Sequence, residues 1–211
     1  MGHLRGAPCG NFYLWYNRLM LPQNKQNTTQ EKAETSFVLA SKLFPDEVWI
    51  LKERNIYVAE SRLIEEYQEP AKWKKEMEQA RILINQGSVA YFLPEKKRNE
   101  ETGRRCADMV LDGYILEMKV VSGTRVTLGG GFRLAYKQGA DLLINVPDIH
   151  EHSVFIWLKS ELSIGSVKAK IAGELKQRSD KGTFICYFEH LGELYTWSYE
   201  ELKTLIGTGK G

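Results

Sequence analysis

The stretch ADMVLDGYILEMKVVSG, residues 107–123, decides how this chain is read. Asp112-Gly113 stands between two apolar runs, and an Asp-Gly pair so flanked signals a β-hairpin. Glu117 and Lys119 lie two apart in the second run, so they project from one face of a strand. Asp108 reaches the same neighbourhood if the two strands pair around the turn. A carboxylate buried without a partner costs several kcal/mol, so acids brought together there need a cation or a proton. Two acids and a strand carbonyl are hard oxygen ligands, which suit Mg²⁺ or Mn²⁺ better than Zn²⁺. Such a cation orients and acidifies a water and offsets charge on a phosphoryl group. Lys119 would hold that water or stabilise the developing charge. The bland alternative is a surface hairpin whose Glu117 and Lys119 form an exposed pair worth about 0–1 kcal/mol.

Working outward, Glu69-Pro70 is a helix start. Trp73, Met77, Ala80, Leu83 and Ile84 then give one apolar face, and Gly87 is a stop. SVAYFLP reads as a strand. The charged segment EKKRNEETGRR separates it from the hairpin. SGTRVTLGGG reads as a glycine-rich connection whose backbone N–H groups either present themselves to a phosphate at a helix start or form a turn. FRLAYKQGA reads as a helix and DLLINV as a buried strand. HSVFIWL follows, then an amphipathic helix SVKAKIAGELKQRS, paired strands TFICYFE and ELYTWS, and a closing helix YEELKTLI. Upstream, Thr28 and Glu31 form a capping-box pattern. Ala33, Phe37, Ala40 and Phe44 give a helical stripe that Pro45 ends. EVWIL and NIYVA read as strands around KERN, while residues 1–27 stay ambiguous between helix and strand. From residue 70 the order is helix, three strands, helix, strand, which implies a mixed sheet flanked by helices.

The pattern D-x8-E-x-K on two adjacent strands, after a helix and strand and before a helix, resembles the PD-(D/E)XK nuclease superfamily. The resemblance is nearest to the C-terminal nuclease toxin domains of bacterial contact-dependent growth-inhibition proteins. It spans roughly residues 70–147. Where that family often has Pro before its Asp, this chain has Ala107. The resemblance implies an α+β (mixed α/β) chain with a restriction-endonuclease-like central mixed sheet. Residues 70–211 would be the nuclease domain and residues 1–69 an N-terminal α/β extension. It implies Asp108 and Glu117 as ligands of Mg²⁺ or Mn²⁺ and Lys119 as the catalytic lysine. The substrate would be DNA or tRNA, and a toxin-type domain would meet an immunity protein.

Supporting groups each have an ordinary alternative. Glu76 interrupts the apolar stripe of the helix from residue 70, where a charge should not fall. It is either a third acid at the metal or a stripe-edge glutamate reaching solvent. Glu95, at the end of the next strand, is a further metal candidate. Gln138 either orients a phosphate or water or is a helix-surface glutamine. Arg104, Arg105, Arg125, Arg133 and Lys137 flank the hairpin, as a backbone-binding surface or as a solvated face. Trp49, Trp157 and Tyr136 serve stacking or the core.

The whole chain sets outer bounds. It has 211 residues with a formal net charge of +2, too small to argue for nucleic acid by itself. No apolar run suggests a membrane span, so no membrane partner is expected, and nothing marks an address, so a cytoplasmic site is the default. Cys9, Cys106 and Cys186 fit reduced thiols. His150 and His152 read as part of a polar loop. Two rival functions stand beside the nuclease: a non-catalytic interaction protein on the same fold, and a metal-independent ribonuclease using His150, His152 or His190.

Overall fold

The computed structural model describes residues 28–94, 107–143, 152–176 and 184–207. Residues 1–27, Glu95, Arg104, Arg105 and His150 lie outside the described residues. The chain is mixed α/β. Among the described residues, eight strands form one sheet whose spatial order follows the chain. They are β1 (Trp49–Glu53), β2 (Ile56–Ala59), β3 (Ala90–Phe92), β4 (Met109–Leu111), β5 (Tyr114–Ser122), β6 (His152–Lys159), β7 (Phe184–His190) and β8 (Glu193–Ser198). The pairs β2–β3, β5–β6 and β6–β7 are parallel and the others antiparallel. The helices are α1 (Thr29–Leu43), α2 (Glu65–Gln68), α3 (Pro70–Ile84), α4 (Arg125–Leu143), α5 (Ile164–Lys176) and α6 (Tyr199–Gly207). Among the described residues, no helix is long and apolar enough to cross a membrane.

Helix α1 starts as the sequence predicts. The Glu31 N–H donates to Thr28 Oγ1 at 3.2 Å, and the Thr28 N–H donates to Glu31 Oε2 at 2.7 Å. Two polar donors that a helix end leaves open are thereby satisfied. The β4–β5 turn has Asp112 at φ 51° and Gly113 at φ 87°, the left-handed pair that a two-residue hairpin requires. The Asp112 carboxylate accepts from the Val89 N–H and the Ser88 hydroxyl, both at 2.8 Å, and faces Lys32 at 3.2 Å. The Gly113 N–H donates to Ser36 Oγ on α1 at 2.9 Å. A Cβ on Gly113 would lie 2.5 Å from Thr35, so the turn is pinned against α1 and β5 is fixed with it.

Strand alternation sorts the core into two faces. Trp73, Met77, Ala80 and Leu83 of α3 cover one face, over Ile56, Phe92, Met109, Leu116 and Phe155. On the other face, Leu39 and Ala40 of α1 pack on Tyr91, Val110 and Ile115. Helices α4, α5 and α6 cover the rest of it, over Val121, Val154, Ile156 and Phe188. Strands β1 and β2 belong to this same sheet, so residues 49–59 extend it rather than stand apart.

Two expectations fail between β5 and β6. The glycines of SGTRVTLGGG do not form a connection. Helix α4 begins at Arg125, and Gly129, Gly130 and Gly131 lie inside it. Their N–H groups lie beyond the first four of the helix and are taken up by its own ladder, so the helix start falls at Arg125, before the glycines. The physical reason is packing. A Cβ on Gly129 would come 2.4 Å from Lys170 of α5, and one on Gly131 would come 2.6 Å from Val121 of β5. DLLINV likewise does not open as a strand, because Asp141–Leu143 complete α4. Among the described residues, the next strand begins at His152.

Candidate active site

The site arises from unequal strand lengths. Strand β4 has three residues and β5 has nine. Their pairing stops at Met109↔Leu116, while β5 stays paired with β6 as far as Ser122↔Lys159. Asp108 stands one residue before β4, opposite Glu117 by continuation of the register. Its Oδ2 accepts the Met118 N–H at 2.6 Å, where a longer β4 would have supplied a backbone partner. Glu117 and Lys119 project from the face that α1 and α4 cover, and Lys119 Nζ donates to Glu117 Oε1.

This is not an exposed hairpin pair. Glu117 is 1% exposed, and its Oε2 is buried with no partner among the described residues. Burial pushes the Glu117 carboxyl up to about 8. The Asp108 charge pushes the same way, and Lys119 only partly opposes them. Burial also holds Asp108 above the ordinary aspartate range, against the pull of Lys119, the Met118 N–H and Arg62. Glu76, on α3, is pushed up to about 7 by burial, with Arg62 opposing and Asp108 adding. The Asp108 charge thus raises both other acids, and Glu76 adds to the shift of Glu117.

Arg62 joins this cluster and was not anticipated. It ends a short 3₁₀ turn, Glu60–Arg62, and is 2% exposed. Its Nη2 donates to Glu76 Oε2 at 2.5 Å and its Nε to Glu65 Oε2 at 3.1 Å. Its Nη1 donates to the carbonyls of Asp108 at 3.0 Å and Leu93 at 3.1 Å. Burial works against its charge, but Glu76, Glu65 and Asp108 outweigh that and hold it firmly protonated. Glu65 is three residues away, but the other partners lie 14, 31 and 46 residues along the chain, where no local pattern signals them.

Gln138 is buried on the inward stripe of α4, and its Oε1 has no partner among the described residues. Gly131 packs on Val121 and Gly139 on His152, which pairs with Ile115. Helix α4 therefore runs back over the part of β5 that carries Lys119 and Glu117. Arg125 and Lys137 are exposed on the same helix, while Arg133 lies 3.5 Å from Glu174 of α5. Trp49 packs edge-on against Tyr91, and Tyr136 is buried, so both belong to the core. Trp157 is half-buried beneath Lys159, 4.1 Å from the ring centre. His152 and His190 are buried in β6 and β7, away from any solvent-facing acid/base position. A cleft of about 490 Å³ opens beside Glu65 and Pro94, but Asp46, Glu47 and Glu69 make it acidic and unsuited to a phosphate chain.

The donor set fits a hard divalent cation. Burial raises the pKa of both the Asp108 and Glu117 carboxyls, the Asp108 charge raises Glu117 further, and one buried oxygen has no partner among the described residues. Among the described residues, no group of three or more His, Cys, Asp or Glu side chains is set to hold a metal as it stands. Waters would therefore complete the shell, as Mg²⁺ prefers. No protein-family model, no curated protein and no solved structure matches this chain.

Proposed function

We propose that this chain is a divalent-metal-dependent nuclease that hydrolyses phosphodiester bonds of DNA or tRNA. One observation carries the reading: Asp108, Glu117 and Lys119 meet where β4 ends and β5 continues, with Glu117 Oε2 buried and without a partner. The order α3, β3, β4, β5, α4 supports it, because the resemblance rests on a helix and strand before the hairpin and a helix after it.

In this reading Asp108 and Glu117 hold Mg²⁺ or Mn²⁺, with Glu76 beside them. The bound cation supplies an acidified water and offsets phosphoryl charge. Lys119, 25% exposed at its side chain, shares its ammonium between Glu117 and a phosphoryl oxygen or water. Gln138 orients from α4. Arg125 and Lys137 meet backbone phosphates, which makes binding salt-dependent. A toxin-type role, with an immunity protein covering the site and a target in the cytoplasm, completes the proposal.

Supercoiled plasmid and tRNA incubated with Mg²⁺, Mn²⁺ or EDTA test it. Cleavage should require the cation and should fall in Glu117→Ala and Lys119→Ala. Cleavage unchanged in both variants refutes the assigned site. The closed Glu117–Lys119 pair favours one rival, a non-catalytic interaction protein, which predicts no cleavage under any condition.

A further inference from the structure

We infer that Arg62 is a positioning residue of this site, holding Glu76 and the Asp108 main chain where a cation needs them. The inference rests on the nuclease reading and goes beyond it, because Arg62 lies in residues 1–69, the region expected to be an accessory. Four acceptors on four parts of the fold converge on its guanidinium. They are Glu65 of α2, Glu76 of α3, the Leu93 carbonyl just after β3 and the Asp108 carbonyl just before β4. The Phe92 ring closes the remaining side, 5.1 Å from the guanidinium carbon.

The fork geometry matters. Arg presents five donors in a rigid plane, whereas Lys offers a single point charge that cannot reach four acceptors in fixed directions. Asp108 is the key partner. Its carboxylate is a proposed ligand, and its own carbonyl accepts from Arg62 at 3.0 Å. Its carboxylate is also tied to the Met118 N–H, so both ends of the residue are held. Glu76 is fixed by a 2.5 Å charge-assisted bond to the same guanidinium. Outer partners that orient a ligand typically change metal affinity by about 10–100-fold when removed. A purely structural cross-link would change stability and leave the affinity of the folded protein alone.

The test uses the full chain and Mn²⁺ alone, with free Mn²⁺ read by its paramagnetic resonance signal. Arg62→Lys should keep the native circular-dichroism spectrum and lose Mn²⁺ affinity by about 10-fold or more. On nucleic acid at fixed Mn²⁺, kcat should fall with KM for the nucleic acid unchanged. A folded Arg62→Lys with wild-type Mn²⁺ affinity overturns the inference. Should Arg62→Lys fail to fold, the double variant Arg62→Gln/Glu76→Gln removes the Arg62 charge together with that of its shortest-bonded acid. It should bind Mn²⁺ more weakly than Glu76→Gln alone, because the Asp108 carbonyl also loses its donor. Equal affinity of these two overturns the inference. A wild-type chain that binds no Mn²⁺ instead sinks the nuclease reading itself, and is seen before any variant is compared.

Discussion

Replacing Glu117 with Gln should stabilise the metal-free protein, and should do so more as pH rises. The side chains are nearly equal in size, so the change removes a titrating group while leaving the packing in place. Glu117 has its folded pKa raised from 4.5 to about 8, with burial the first cause. Below pH 4.5 the carboxyl is protonated in both folded and unfolded chains, and it costs nothing. Between 4.5 and about 8 the unfolded chain releases the proton while the folded chain keeps it. Folding stability then falls by about 1.4 kcal/mol per pH unit, reaching a loss of about 5 kcal/mol above pH 8. Between pH 5 and 7 the wild type should lose about 2–3 kcal/mol relative to Glu117→Gln. Asp108 and Glu76 shift the same way and add slopes of the same sign to both proteins, so the difference between the two is the quantity to read.

Urea unfolding at several pH values in EDTA measures that difference. Repeating it with saturating Mn²⁺ narrows the gap near neutral pH and reverses the order at about pH 6 and below. A ligand at about 100 times its Kd adds about 2.7 kcal/mol to a folded chain that binds it. The wild type should gain on that scale and Glu117→Gln should not. Parallel pH curves for the two proteins in EDTA would refute the argument, because the buried carboxyl would then carry no linkage.

Three other changes have expected outcomes. Lys119→Met should keep the fold and lower kcat by roughly 100-fold, since one donor aimed at developing charge is worth about that much; cleavage assays beside a melting curve check it. Gly131→Ala should lower Tm despite the better helix propensity of Ala, because its Cβ would fall 2.6 Å from Val121. Overpacking of this kind costs about 1–3 kcal/mol. Thr28→Ala opens the capping box of α1 and should cost about 1 kcal/mol in chemical denaturation, with no effect on Mn²⁺ binding.

The hairpin was legible because its signals are local. Asp112 and Gly113 demand positive φ, and the strands beside them alternate. The same holds for Thr28 and Glu31, whose reciprocal bonds span three residues. Helix α4 was misread because local propensity and tertiary packing disagree there. Each interior glycine costs roughly 1 kcal/mol against Ala, which argues for a loop. At Gly131, however, a Cβ would fall 2.6 Å from Val121, so glycine there lets α4 lie close on β5. Arg62 was invisible for a different reason. Nothing in the run ESRLIEE distinguishes a buried, fourfold-bonded arginine from a surface one, because its decisive partners come from other elements.

The acids, the lysine and the arginine make physical sense together only if the fold is not optimised for stability at this point. A strand rich in Ile, Leu, Met and Val has apolar residues on both faces at Leu116 and Val121, yet places a carboxylate at Glu117 with 1% exposure. Leu or Met there would add apolar burial and remove a penalty of several kcal/mol. Lys119 does not cancel that penalty, since the carboxyl stays at raised pKa beside it. Arg62 does not cancel it either, because its bonds go to Glu65, Glu76 and two carbonyls rather than to Glu117. What remains is a buried carboxyl with one oxygen left open, at a position held by β6 on one flank and by the Asp108 tether on the other. Local rules broken inside an otherwise consistent fold mark functional sites. On the proposed reading, a divalent cation is the partner whose charge and oxygen preference would offset the burial of these carboxyls.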